Sequence, residues 1–139
     1  MFLRPLERND LTKYYMALLD QLSVHHVDLN KTSDLFDIYQ QDYNHTILVL
    51  GVGGEIVATG AVLFEQKIRG NIAAHIEDVV TSSSCRGKGF GRIVIDALVD
   101  LAVERKCYKV ILDCSKKNIS FYEKCGFKLV ENCMRKDLI

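Results

Sequence analysis

Residues 76–92 read IEDVVTSSSCRGKGFGR. Ile76, Val79 and Val80 form an apolar, strand-like run, Thr81 and three serines make a polar turn, and Arg86-Gly87-Lys88-Gly89-Phe90-Gly91-Arg92 follows with a helical pattern directly behind it. Glycines let backbone N–H groups approach a ligand closely, and a helix starting there adds unpaired N–H groups and the positive end of its dipole. The loop is built to hold an anion. A Walker loop needs Gly, four residues, then Gly-Lys-Ser/Thr, and a dinucleotide loop needs GxGxxG. Neither fits, because Arg92 stands where the third glycine belongs. The spacing that fits is Arg-x-x-Gly-x-Gly, as Arg86, Gly89 and Gly91.

Working outward, 139 residues and 15.8 kDa suit one domain, 1–139, burying about 70% of its unfolded surface. Eighteen basic residues balance eighteen acidic ones, so no global field draws the chain to nucleic acid or an anionic membrane, and any anion site is local. The five cysteines, 85, 107, 114, 125 and 133, contain no C-x-x-C pair and no metal-like spacing with the four histidines. They read as small buried hydrophobes, and no metal is expected. With no signal segment and no run near the ~18 apolar residues of a membrane helix, the expected location is cytoplasmic. The Asn-x-Ser/Thr triplets at 30, 44 and 118 are then chance matches.

Residues 2–5 suit a short strand. Leu11, Tyr14, Tyr15, Leu18, Leu19 and Leu22 recur at spacings of three and four, predicting an amphipathic helix capped by Asn9 or Asp10. A loop over 23–30 carries His25 and His26, read as solvated side chains in preference to ligand contacts. A second helix starts at a Thr32 or Ser33 cap. Residues 46–51 and 55–64 are β-branched runs joined through glycines, a hairpin, and a polar turn at 65–70 leads into the strand of the anion loop. The helix after Gly91 and the run 109–114, KVILDC, complete a right-handed βαβ unit. Asn118 caps a short helix that Gly126 stops, and 127–138 has room for one or two strands. The fold class is α+β, with a mixed, mostly antiparallel sheet flanked by helices.

This order resembles the GNAT superfamily of acyl-CoA-dependent N-acyltransferases over essentially the full length. Two independent motifs carry the resemblance: the loop from Arg86 to Gly91, and N-x-x-x-F-Y-x-K-x-G-F from Asn118 to Phe127. Within the superfamily, His75-Ile76-Glu77-Asp78-Val79-Val80, Leu112-Asp113-Cys114 and Phe121-Tyr122-Glu123-Lys124-Cys125-Gly126-Phe127 resemble the glucosamine 6-phosphate N-acetyltransferases. The N-terminal third matches loosely, with Ser23-Val24-His25-His26 where that family has a Thr-rich loop, and no role is carried over from it.

The resemblance implies acetyl-CoA as cosubstrate and glucosamine 6-phosphate as acceptor, acetylated on its 2-amino group in the route to UDP-N-acetylglucosamine. The diphosphate falls on Arg86, Gly87, Lys88, Gly89, Phe90, Gly91 and Arg92, with Asn118 also at the coenzyme and the pantetheine arm along Val79 and Val80. Tyr122 stands by the leaving sulfur. Asp113 and Glu77 both remain candidates for the base, with Asp78 as a further sugar contact; ordinary ion pairing across the sheet is the plainer alternative. Lys67, Arg135 and Lys136 are candidate phosphate cations. A homodimer whose tail helps complete the partner's sugar site is implied too. Cys114 follows Asp113 with opposite direction in a regular strand, so no nucleophile is expected beside the carboxylate and transfer is direct. The alternatives are another amine acceptor and a non-catalytic coenzyme A module, which has no need of Tyr122 or Asp113.

Overall fold

The computed structural model describes residues 1–23 and 28–139; the reading of His25 and His26 as solvated loop side chains falls outside the described residues. Five strands, β1 (Phe2–Pro5), β2 (His45–Val52), β3 (Glu55–Gln66), β4 (Ile72–Thr81) and β5 (Lys109–Ile111), form one sheet in the order β1-β2-β3-β4-β5. The first four pair antiparallel and β5 joins β4 in parallel. Helices α1 (Lys13–Leu19) and α2 (Thr32–Gln41) carry Tyr15 and Phe36 into a small core with Leu6 and Val49. Helix α3 (Phe90–Glu104) builds the main core, and α4 (Ile119–Lys124) packs at its margin through Tyr122. None of the described helices is long and apolar enough to cross a membrane.

Val94, Ile95, Leu98 and Ala102 are buried at spacings of three and four along α3, the periodicity that lays one helical face on a sheet. Each of the first three gives about 1.5–3 kcal/mol on leaving water. Gly53 and Gly54, at φ +62° and +84°, supply the two positive φ values that a two-residue turn between β2 and β3 requires.

One irregularity matters most. Thr59 pairs with Val80 and Ala61 with Glu77, so Gly60 alone faces both Asp78 and Val79. This is a β-bulge, and Asp78 sits at φ +53°, a left-handed conformation that aspartate tolerates better than most residues. A Cβ on Gly60 would come within 3.0 Å of Leu98 and 3.3 Å of Val79, so the glycine lets α3 lie close against the bulge.

Several local expectations are corrected. Asp10 is no cap for α1: Arg4 donates to its two carboxylate oxygens at 2.6 and 3.0 Å, and Thr12 caps the helix by accepting from Tyr15 N. Helix α1 ends at Leu19 and α2 begins at Thr32, with Lys31 in the cap position. Asn118 ends a short 3₁₀ turn and makes no capping bond through its side chain. β5 stops at Ile111 instead of 114, and no strand forms over 127–138.

Candidate active site

Pairing between β4 and β5 ends at His75 and Ile111, whereas β4 runs on to Thr81. Past the bulge, the edge of β4 that carries Val79 and Val80 faces no strand among the described residues, so its backbone polar groups could pair with an extended ligand. At one end of this opening lies the glycine loop, at the other a group of carboxylates.

The loop has the form the spacing predicts. Gly87 and Gly89 both lie at φ +82°, which a side chain would strain, and Gly89 occupies the cap position of α3. The N–H groups of the first turn of α3 are unpaired as in any helix, Ile93 N being the first to bond back, at 3.2 Å to Gly89 O. Gly91 is needed for closeness: a Cβ there would stand 3.1 Å from Thr81 Oγ1 and 3.3 Å from the Phe121 ring. Phe121 thus brings the two sequence motifs into contact. Arg86 donates through Nε to Thr81 O at 3.4 Å, Arg92 pairs with Asp96 at 3.6 Å, and Phe90 turns half-buried into the core. Lys88 and Asn118 are exposed.

At the other end Glu77, Asp78 and Asp113 share one neighbourhood. Partial burial, then Asp78 and Asp113, push the Glu77 carboxyl above its ordinary range. Among the described residues none of the three forms an ion pair, so the cross-sheet pairing that would make them merely structural is not seen. No group of His, Cys, Asp and Glu among them is arranged to hold a metal.

Tyr122 lines a cleft of about 270 Å³ between the segment that leaves β5 and the tail, with Asp113, Cys114 and Phe127. Its ring packs edge-on to Phe121 and Phe127, at 4.9 and 6.0 Å between centroids, while its hydroxyl has no protein partner among the described residues. Burial pushes the phenol up to about 12. A fixed ring whose hydroxyl stays protonated and is not sealed from solvent can donate a hydrogen bond to a molecule in the cleft.

Three expectations change with this geometry. Asp113 and Cys114 both line the cleft, because the chain has left regular strand geometry by Ile111, so alternation does not separate them. Cys114 nevertheless has no hydrogen-bonded base among the described residues. Lys67 lies across from Asn71, roughly 20 Å from Glu77 at ~3.3 Å per strand residue, and pairs with Glu65 at 3.1 Å while Glu65 also bonds His75 at 2.9 Å. Arg135 pairs with Asp137 at 2.9 Å, and Lys136 is exposed. The pattern gave no signal for Cys133, which lines the cleft together with Asp113, or for Gln21, whose side chain reaches Ser83 and Arg86.

Comparison with known proteins agrees with this geometry. Residues 10–127 match the Acetyltransferase (GNAT) family. The Arabidopsis thaliana protein named glucosamine 6-phosphate N-acetyltransferase is 41% identical over 130 residues, covering 89% of this chain and 87% of that one. The Candida albicans protein of the same name is 34% identical over 130 residues, covering 90% and 87%. The crystal structure of the Arabidopsis enzyme superposes with a TM-score of 0.95 at 39% identity, over 99% of this chain and 98% of that one.

The raised Glu77 carboxyl has a consequence for stability. Its folded pKa lies above the ordinary 4.5, so the folded state holds the proton more tightly, and stability falls as pH rises through that window, leaving the full handicap at neutral pH. Glu77→Gln is therefore expected to melt at a higher temperature than the parent at about pH 7.5 and to converge with it below about pH 4. Identical melting at both values would show that the ionised carboxylate is not destabilised by its neighbours.

Proposed function

Because this chain belongs to the acetyltransferase (GNAT) family, whose members take acetyl-CoA as donor, we propose that it transfers the acetyl group to the 2-amino group of glucosamine 6-phosphate. The observation that carries the reading is the bipolar opening along β4: a cationic glycine loop at one end, three carboxylates without ion-pair partners at the other, and a bare backbone edge between. Proteins named for this reaction are 34–41% identical over about nine-tenths of the chain. A non-catalytic coenzyme A module has no use for the carboxylates or for an unpartnered Tyr122 hydroxyl.

In this reading the diphosphate takes the N–H groups of Gly87, Lys88, Gly89, Phe90 and Gly91, with Arg86, Lys88 and Arg92 as charge partners and Asn118 beside the coenzyme. The pantetheine arm pairs with Val79 and Val80, and a backbone N–H freed by the bulge faces the thioester oxygen, an interaction worth about 3 kcal/mol of barrier. The carboxylates hold the sugar amine. Glu77, its carboxyl pushed above the ordinary range, accepts its proton while Asp113 and Asp78 orient the sugar. The amine nitrogen attacks the thioester carbon, the C–S bond breaks, and the products are N-acetylglucosamine 6-phosphate and coenzyme A. With a phenol near 12 against ~8.5 for a thiol, Tyr122 steadies the departing thiolate by a hydrogen bond and keeps its proton. Transfer is direct, since Cys114 lacks an activating base. The product supplies UDP-N-acetylglucosamine synthesis, and free cysteines suit a cytoplasmic enzyme.

The sugar phosphate needs cations, and Lys67 is too far from the carboxylates of its own chain. A homodimer answers this. β5 is an open edge three residues long, and beside it Leu129, Val130 and Met134 of the tail are 69%, 65% and 94% exposed. A two-fold axis across that edge reverses strand direction, bringing the partner's Lys67 end beside this chain's Asp113 end, with Arg135 and Lys136 as further phosphate contacts.

Release of free thiol from acetyl-CoA tests the assignment. Glucosamine 6-phosphate is expected to exceed unphosphorylated glucosamine roughly tenfold to a hundredfold in kcat/KM, the worth of one or more charge-assisted hydrogen bonds. Lys67→Ala should erase most of that margin, and mixing Lys67→Ala with Asp113→Asn subunits should restore part of it. Equal efficiency with both sugars, or a preference for a peptide or polyamine, overturns the substrate. Separately, Tyr122→Phe should lower kcat by roughly tenfold to a hundredfold with little change in acetyl-CoA affinity. Unaltered turnover would reduce Tyr122 to packing.

A further inference from the structure

We propose that Gln21 is a positioning residue for the coenzyme loop: it holds Arg86 and the Ser83 backbone in the arrangement that receives the diphosphate, without cancelling the charge. This rests on the reading of residues 86–92 as a diphosphate site.

Gln21 Oε1 accepts from Ser83 N at 3.0 Å and from Arg86 Nη2 at 3.5 Å. Both partners are donors, so the oxygen of the amide is the atom that faces Ser83 and Arg86. Among the described residues, no other side chain from outside 82–92 hydrogen-bonds into that stretch. Arg86 is exposed and has many rotamers. Its guanidinium lies between the Thr81 carbonyl, 3.4 Å from Nε, and Gln21, 3.5 Å from Nη2, two long contacts that bias it toward one rotamer and so lower the ordering that binding costs.

The place of Gln21 is itself built. Tyr15 is buried in α1, and its hydroxyl meets Thr59 Oγ1 at 3.1 Å; Thr59 donates onward to Leu48 O at 2.8 Å. That chain pins α1 to β3 and β2. Beyond the helix, Gln21 N donates to Leu18 O at 3.2 Å and Leu22 N to Leu19 O at 2.9 Å, so the backbone that carries Gln21 is a closed turn. The amide therefore reaches the loop from a rigid support.

Its chemistry is also specific. Aspartate or glutamate would grip Arg86 harder, but would neutralise the guanidinium and set a negative charge beside an incoming diphosphate. A neutral acceptor orients the cation and leaves its field intact. Gln21 makes no contact with the reacting atoms in this account, so its effect falls on the binding of one part of one substrate.

That restriction supplies the test. In Gln21→Met, of similar length without the acceptor, acetyl-CoA affinity by calorimetry and kcat/KM for acetyl-CoA should fall roughly threefold to tenfold. kcat at saturation, KM for glucosamine 6-phosphate and the rate with S-acetylpantetheine, a donor lacking the diphosphate, should not change. Gln21→Glu, which keeps an acceptor, should also discriminate against acetyl-CoA and spare S-acetylpantetheine. If both donors suffer equally, or neither does, the inference is overturned. A parent protein that binds no acetyl-CoA at all would instead overturn the coenzyme reading on which it stands.

Discussion

Opposite Gly60, β4 runs two residues where β3 runs one, and the placing of the site follows from that extra residue. An unbulged β4 would continue its regular alternation past Glu77. With the bulge, Asp78 takes φ +53°, Val79 returns to the α3 side, and pairing with β5 has already ceased at His75. The result is a strand edge that no strand among the described residues covers, beside a cluster of carboxylates. Gly60 makes this tolerable from the other side: without a Cβ it lets Leu98 and Val94 of α3 close over the irregular stretch, so the distortion is packed and not loose.

Charge is arranged on the same axis. The chain carries no net charge, yet Arg86, Lys88 and Arg92 gather at the start of α3 while Glu77, Asp78 and Asp113 gather at the bulge. The two ends are coupled mechanically as well. Phe121 touches Gly91 and stacks edge-on to Tyr122, so the short helix that presents the phenol rests on the helix that presents the N–H groups. The proposed reading of the opening as a site for one molecule with an anionic tail and an electrophilic head draws its support from that spacing.

What was legible in the sequence was local. The glycine spacing, the helix behind it and the turn at Gly53 and Gly54 are decided within a few residues, and each stands as expected. What was not legible depends on distant partners. Asp10 is a good cap by type, but Arg4 takes both its oxygens. KVILDC looks like six strand residues, but β4 diverges after the third, which also puts Asp113 and Cys114 into the same cleft. The tail has strand-forming residues, yet the β5 edge it would join is only three residues long and stays unpaired by it. Lys67 carries the right charge at the wrong end of β4 for its own chain. Gln21 belongs to no motif, and only the packing of α1 brings it to the loop.

The central claim is that acetyl-CoA completes the open edge of β4 and caps the start of α3. Amide hydrogen exchange with and without acetyl-CoA measures this residue by residue. Slowed exchange is predicted at residues 79–81 and 86–92, with the amides of β1 and β2 unchanged. Protection spread evenly over the sheet, or absent from 79–81 while acetyl-CoA is bound, would contradict it.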